Sequence, residues 1–198
     1  MGKLKTNGVR SVVIDEADRL LVHESLPAIR AIIQAVPHRR QLIFASATEQ
    51  RESAEAIATL APDLVMLQTG AAPVNENIEH LYLVCEGRDK PEVLRKLLHA
   101  LHPERAMVFV HRGETAEKVA AQLAHHQIPV ADLHAASDKR DRKQAMDDFR
   151  STQARVLIAS DVAARGLDIK GVTHIFNLDV PTQSKAYLHR VGRTARAG

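Results

Sequence analysis

The 198-residue chain carries 27 Lys+Arg and 24 Asp+Glu, a formal charge of +3, with 45% apolar and 26% charged residues, a globular balance with room for one generous domain or two small ones. No apolar run approaches the roughly 18 residues of a membrane-spanning helix, and the polar, basic stretch 1–10 lacks the apolar core of a secretory signal. The single Cys85 excludes an internal disulfide and any site built from several thiolates, and fits a reducing, cytoplasmic setting. The 11 His form no His-Glu-x-x-His and no Cys/His quartet, which argues against a dedicated zinc site. With 3% aromatics and no Trp, a base-stacking platform is not expected.

Taken in chain order, short β-branched runs alternate with amphipathic stretches. Ser11–Asp15 reads as a buried strand, Ser25–Val36 as a helix with Leu26, Ile29, Ile32, Ile33 and Val36 on one stripe, and Pro37 as its stop. Gln41–Ala45 is the next strand, Arg51–Leu60 a helix and Leu64–Gln68 a third strand. Thr69–Asn77 is rich in Gly, Pro, Asn and small residues and reads as a crossing between domains. A second series follows. Its strands are expected at His80–Val84, Ala106–Val110, Val130–Leu133, Arg155–Ala159 and His174–Leu178, and its helices at Lys90–Leu101, Thr115–His125, Lys139–Phe149 and Thr182–Val191. Alternating β and α of this kind implies parallel sheets covered by helices. The domain expectation is therefore a first domain at 1–70, a linker at 71–78 and a second domain at 79–198.

Charge is unevenly spread. Residues 1–72 hold 8 basic and 8 acidic groups, residues 73–136 hold 7 and 9, and residues 137–198 hold 12 and 7. The C-terminal excess is either a solvated basic face or a phosphate-binding surface.

Four stretches could carry chemistry. Val12–Ile14 runs into Asp15 and Glu16, and ligands of open α/β sheets bind outside the carboxyl ends of the strands. A carboxylate there can hold Mg²⁺ through water, and its neighbour can orient an attacking water; an ordinary strand end is the alternative. Ser46-Ala47-Thr48 follows the next strand, and its hydroxyls can bond those carboxylates or cap a helix starting at Glu49. Ser160-Asp161 and Ala164-Arg165-Gly166-Leu167-Asp168 offer hydroxyls, backbone N–H groups and close approach to a phosphate, or form a loop and cap. In His189-Arg190-Val191-Gly192-Arg193-Thr194-Ala195-Arg196, three arginines spaced by three share one face if the helix continues that far, and such a face calls for anions.

Asp15-Glu16-Ala17-Asp18, Ser46-Ala47-Thr48, Ala164–Asp168 and His189-Arg190-x-Gly192-Arg193-x-x-Arg196 stand in the order and approximate spacing of DEAD-box RNA helicases. Val108–Val110 before a helix, and Leu133-His134 with Arg142 and Phe149 downstream, extend the resemblance over essentially the whole chain. The resemblance implies an α/β fold of two RecA-like domains, the first incomplete, binding ATP and Mg²⁺ between them and RNA along the backbone without sequence preference. It implies that Asp15 holds Mg²⁺ through water and that Glu16 positions the hydrolytic water. Arg193 and Arg196 would reach the γ-phosphate, and Asp168, beside Gly166, the ribose. Asp18, Ser46, Thr48 and His189 would couple nucleotide to closure, and Arg142 and Ser160 would touch RNA.

Departures from the family pattern are Ala135, Lys139, Ser160 and Ala195, where Gly, Gln, Thr and Gly are usual; none removes a catalytic group. No G-x-x-x-x-G-K-[ST] occurs in the sequence, so the phosphate-cradling loop and its Lys are missing. The chain is therefore expected to be a piece of a longer ATP-dependent RNA helicase, not competent in hydrolysis alone. A non-catalytic RNA- or partner-binding module is the alternative; a DNA helicase of the same superfamily is disfavoured by Asp18 and Ser46-Ala47-Thr48.

Overall fold

The computed structural model describes residues 5–46, 50–68, 77–134, 138–164, 167 and 169–194. The chain divides into two compact units, Met1–Gly70 and Ala71–Gly198. The linker expected at 71–78 falls almost entirely outside the described residues.

In the first unit, β1 (Ser11–Ile14) pairs in parallel with β2 (Gln41–Phe44), Ser11 opposite Gln41 and Ile14 opposite Phe44. Side chains alternate across a strand. Val12, Ile14, Leu42 and Phe44 accordingly face a core with Ala17, Leu21, Ile33 and Ala56, whereas Val13 is 61% exposed. The run expected to be a buried strand is thus buried on one face only. The helices are α1 (Ala17–Leu20), α2 (Leu26–Gln34) and α3 (Arg51–Leu60). Pro27 opens α2, where its missing N–H costs nothing. Glu52 of α3 accepts a hydrogen bond from the backbone N–H of His23 at 3.0 Å, tying α3 to the turn after α1.

The second unit holds four parallel strands in the order β4 (Val130–Leu133), β5 (Val156–Ala159), β3 (Ala106–Phe109), β6 (His174–Asn177). The two central strands, β3 and β5, are buried at every position, as expected for a parallel sheet covered on both faces. One face carries Met107, Phe109, Leu133, Leu157 and Ala159 against Met146 and Phe149 of α6 (Lys139–Arg150). The other carries Ala106, Val108, Val156 and Ile158. It packs on Leu94 and Leu98 of α4 (Lys90–Leu101) and on Ala116, Val119 and Leu123 of α5 (Gly113–His125). The last helix, α7, spans Ser184–Val191. Gly171 turns the chain into β6 with φ 76°, a value that L side chains rarely adopt. Beside it, Arg105 donates to the carbonyls of Lys170 and Arg150 at 2.7 and 2.8 Å.

Two expected strands do not form. Residues 64–68 and 80–84 take up no regular structure and join no ladder among the described residues, so the first sheet has two strands rather than three among them. Leu67 is 88% exposed and Tyr82 89%. A β-branched or aromatic run becomes a strand only where another strand meets its N–H and C=O groups. Of the second run, His80 is tethered by its Nδ1 to the Tyr187 hydroxyl of α7.

Candidate active site and nucleic-acid interface

In the first unit the candidate residues gather at the carboxyl edge of β1 and β2. Asp15 ends β1 and is exposed; its Oδ1 accepts the backbone N–H of Glu16 at 2.8 Å. Glu16 sits in the left-handed region, φ 50° and ψ 44°, sparsely populated for a side chain of its size. That backbone turns the chain sharply from strand into α1 and leaves the two carboxylates at the sheet edge. Ala45 donates to Ile14 O and Ala17 to Ala45 O, both at 2.9 Å, so the segment bearing Ser46 is stitched to the one bearing Asp15. Asp18 is 1% exposed, and Ser46 is exposed. Helix α3 begins at Arg51 behind Gln50, two residues later than a cap at Thr48 requires. Thr48 itself lies outside the described residues.

Asp15 fits a hard cation. Oδ1 is held by one N–H, Oδ2 meets no donor among the described residues, and the group is open to solvent. No cluster of three or more His, Cys, Asp or Glu that could enclose a metal occurs among the described residues. A single open carboxylate of the Asp15 kind can hold an ion that keeps most of its waters, as Mg²⁺ commonly does.

In the second unit, Ser160 and Arg142 converge on the turn after β5. Ser160 Oγ accepts the N–H of Ala163 at 3.2 Å, and Arg142 Nη2 donates to the carbonyl of Ala163. His189 is half-buried on α7. Arg193 lies past the end of α7, its Nη1 donating to Leu167 O at 2.7 Å. Gly166, Asp168 and Arg196 lie outside the described residues.

The expectation that Arg190, Arg193 and Arg196 share one helical face is corrected. Helix α7 ends at Val191 with Gly192 as its cap, and Arg190 turns inward, 1% exposed. Its guanidinium pairs with Asp161 through two bonds, of 2.7 and 2.8 Å. It also donates to Asn177 Oδ1 at 2.9 Å and to Asp179 O at 2.6 Å, lies 3.1 Å from His111 Nε2, and stacks 4.9 Å over the Phe109 ring. Its anion is therefore Asp161 of the same unit. Asn177, Asp179 and His111 were not singled out by motif, and Asp161 was read with Ser160 as part of a phosphate-binding loop or cap, not as the partner of Arg190. The available signal was a polar residue just past each of three strands that the topology makes neighbours. Burial works against ionisation of Asp179, but the N–H of His111 and the ammonium of Lys90 outweigh it and hold the carboxyl below its ordinary range. Asp132 on β4 is shifted the other way, upward, because burial penalises its charge.

A profile described as "DEAD/DEAH box helicase" matches residues 2–57, and one described as "Helicase conserved C-terminal domain" matches residues 89–198, over half of the chain. The chain is 32% identical over 198 residues to the DEAD-box ATP-dependent RNA helicase CshC of Bacillus cereus, covering 100% of this chain and 51% of that one. It is 36% identical over 200 residues to the DEAD-box ATP-dependent RNA helicase CshA of Geobacillus kaustophilus, covering 100% and 42%. It thus spans about half the length of the curated relatives it matches. Among solved structures, S. cerevisiae Dbp5 bound to RNA and ADP BeF3 superposes with a TM-score of 0.85 at 29% identity, covering 98% of this chain and 52% of that one. With RecA-like parallel sheets and the family's motifs at their carboxyl edges, the chain belongs to the DEAD-box helicase family.

Proposed function

We propose that this chain contributes to an ATP-dependent RNA helicase, in which nucleotide binding and hydrolysis are coupled to RNA binding and local duplex opening. The observation that carries this reading is the carboxyl edge of β1 and β2, where Asp15, Glu16, Asp18 and Ser46 are assembled by a left-handed turn at Glu16 and backbone bonds between the two strand ends. Phosphoryl transfer is catalysed mainly by positioning and by electrostatic stabilisation of the transferring group. Mg²⁺, when bound, supplies the charge that neutralises the phosphates. Asp15 would hold it through water, and Glu16 would orient the attacking water. Arg193 and Arg196 contribute guanidiniums to the γ-phosphate, and Asp168, next to Gly166, meets the ribose. Asp18, Ser46, Thr48 and His189 link the occupied site to closure. Ser160, on the turn beyond β5, and Arg142 of α6, whose guanidinium donates to the same turn, contact the RNA backbone.

Without a phosphate-cradling loop in its sequence, the chain alone binds RNA in a salt-sensitive manner and does not hydrolyse ATP; this favours a second reading, a non-catalytic RNA-binding module. Steady-state ATP hydrolysis with and without single-stranded RNA tests both. The expected result is no activity above an Arg193→Ala control, alongside RNA binding. RNA-stimulated hydrolysis lost in Arg193→Ala would refute the inactivity of the isolated chain. Absence of RNA binding at low salt would remove the RNA reading altogether.

A further inference from the structure

The amino-terminal edge of the first unit's sheet is as strongly charged as the carboxyl edge, with the opposite sign. Parallel pairing with Ser11 opposite Gln41 places Arg10 and Arg40, each one residue before its strand, side by side, and Gln41 N donates to Arg10 O at 2.8 Å. Pro37 follows α2 and the chain turns through His38 and Arg39, with Arg40 N donating to His38 O at 3.0 Å. Arg40 Nη1 is anchored on Pro37 O at 3.0 Å, whereas its Nη2 meets no acceptor among the described residues. Arg10, His38, Arg39, Arg40 and Gln41 line an open basin of about 750 Å³.

No carboxylate lines this basin, and none pairs with Arg10, Arg39 or Arg40 among the described residues. Elsewhere in the unit, Arg19 faces Glu16 and Arg51 faces Glu55. Residues 1–72 are neutral overall, with 8 basic and 8 acidic groups, so the patch is a segregation of charge and not the face of a basic domain. Three guanidiniums around one basin repel until an anion enters, and their forked donors suit phosphate oxygens. Four of the five lining residues are exposed. So open a basin cannot enclose a small ligand as binding pockets do, but it can seat one side of a polymer backbone. No Phe, Tyr or Trp lines it, so the contact rests on phosphates rather than on a base-stacking platform.

We propose that this edge binds the phosphodiester backbone of single-stranded RNA. It would be a contact separate from the Asp15 site, about 17 Å from Arg10 at the other end of β1. The proposal rests on the RNA reading above.

The test is anisotropy of a dye-labelled oligouridylate with the full chain across a salt series. The variants are Arg10→Ala/Arg39→Ala, Arg10→Lys/Arg39→Lys and Arg142→Ala, with thermal unfolding to verify that each folds. The alanine pair should bind several-fold more weakly and flatten the slope of log K against log salt by about 1.4, two single-strand phosphate contacts; the lysine pair should restore most of that slope. Unchanged affinity and slope in the alanine pair, with weaker binding by Arg142→Ala, would overturn this proposal and leave the RNA reading standing. Inorganic phosphate bound by the parent but not by the alanine pair, with equal RNA affinity in both, would overturn the RNA assignment in favour of a small-anion site. No RNA binding by the parent would remove both readings.

Discussion

Arg190 and Asp161 meet as a two-pronged pair, Nε on Oδ1 at 2.7 Å and Nη2 on Oδ2 at 2.8 Å, with the arginine 1% exposed. Through Asn177, Asp179 and Phe109 the same guanidinium also joins the ends of β3, β5 and β6. The Asp161 side chain is 32% exposed, so water takes up part of the charge that loss of Arg190 strands, and the cost falls below the roughly 3–5 kcal/mol of a pair buried on both sides. Arg190→Ala should therefore lose about 1.5–3 kcal/mol in urea unfolding, the scale of hydrogen bonds to charged groups. Arg190→Lys should recover little of it, because an ammonium cannot reproduce the planar fork. Full rescue by lysine would contradict this account of the network.

The contact between Arg190 and His111 fixes a tautomer. Arginine only donates hydrogen bonds, so His111 Nε2, 3.1 Å from Nη2, is the acceptor. The neutral ring must carry its proton on Nδ1. Imidazole ¹⁵N shifts at neutral pH should show the Nδ1–H form for His111, reverting toward the usual mixture in Arg190→Ala. A predominant Nε2–H form in the parent would be inconsistent with the bond.

Asp138 caps α6. Its Oδ1 accepts the N–H groups of Arg140 and Asp141 at 2.6 and 2.8 Å, two of the donors a helix start leaves unpaired. Asp138→Ala should cost about 1 kcal/mol by thermal or urea unfolding, and Asp138→Asn much less. Equal losses in the two variants would point to something other than capping.

On α4, Glu92 makes two bonds with Arg95, at 2.8 and 2.6 Å. The arginine's hydrogen bonds lower the Glu92 pKa from its ordinary 4.5 to about 2. A depressed carboxylate pKa adds stability that is fully present above the unfolded value and is lost as pH falls through the folded one, here between about 4.5 and about 2. A carbon-detected titration should put the Glu92 midpoint near 2 in the parent and close to the ordinary value in Arg95→Ala.

Much of the fold is written in local pattern. Helices α3 and α4, and strand β4, occupy the residues that periodicity and β-branched runs indicate, because an amphipathic stripe or a strand's alternation is a property of neighbours in sequence. The carboxyl-edge placement of Asp15, Ser46 and Ser160 was legible for the same reason: each follows an apolar run in a parallel β/α chain.

What only the tertiary structure decided is which groups meet. Leu64–Gln68 and His80–Val84 have strand-like composition, yet a ladder needs a second chain segment, and none pairs with them among the described residues. Arg190, Arg193 and Arg196 look equivalent at spacing three, but α7 ends at Val191 and the sheet order brings Asp161 beneath Arg190. Arg10 and Arg40 are 30 positions apart, a separation at which no local pattern relates two residues, and become neighbours through the β1–β2 register. Partners distant in sequence are set by strand pairing and packing, and those interactions exist only once the chain has folded.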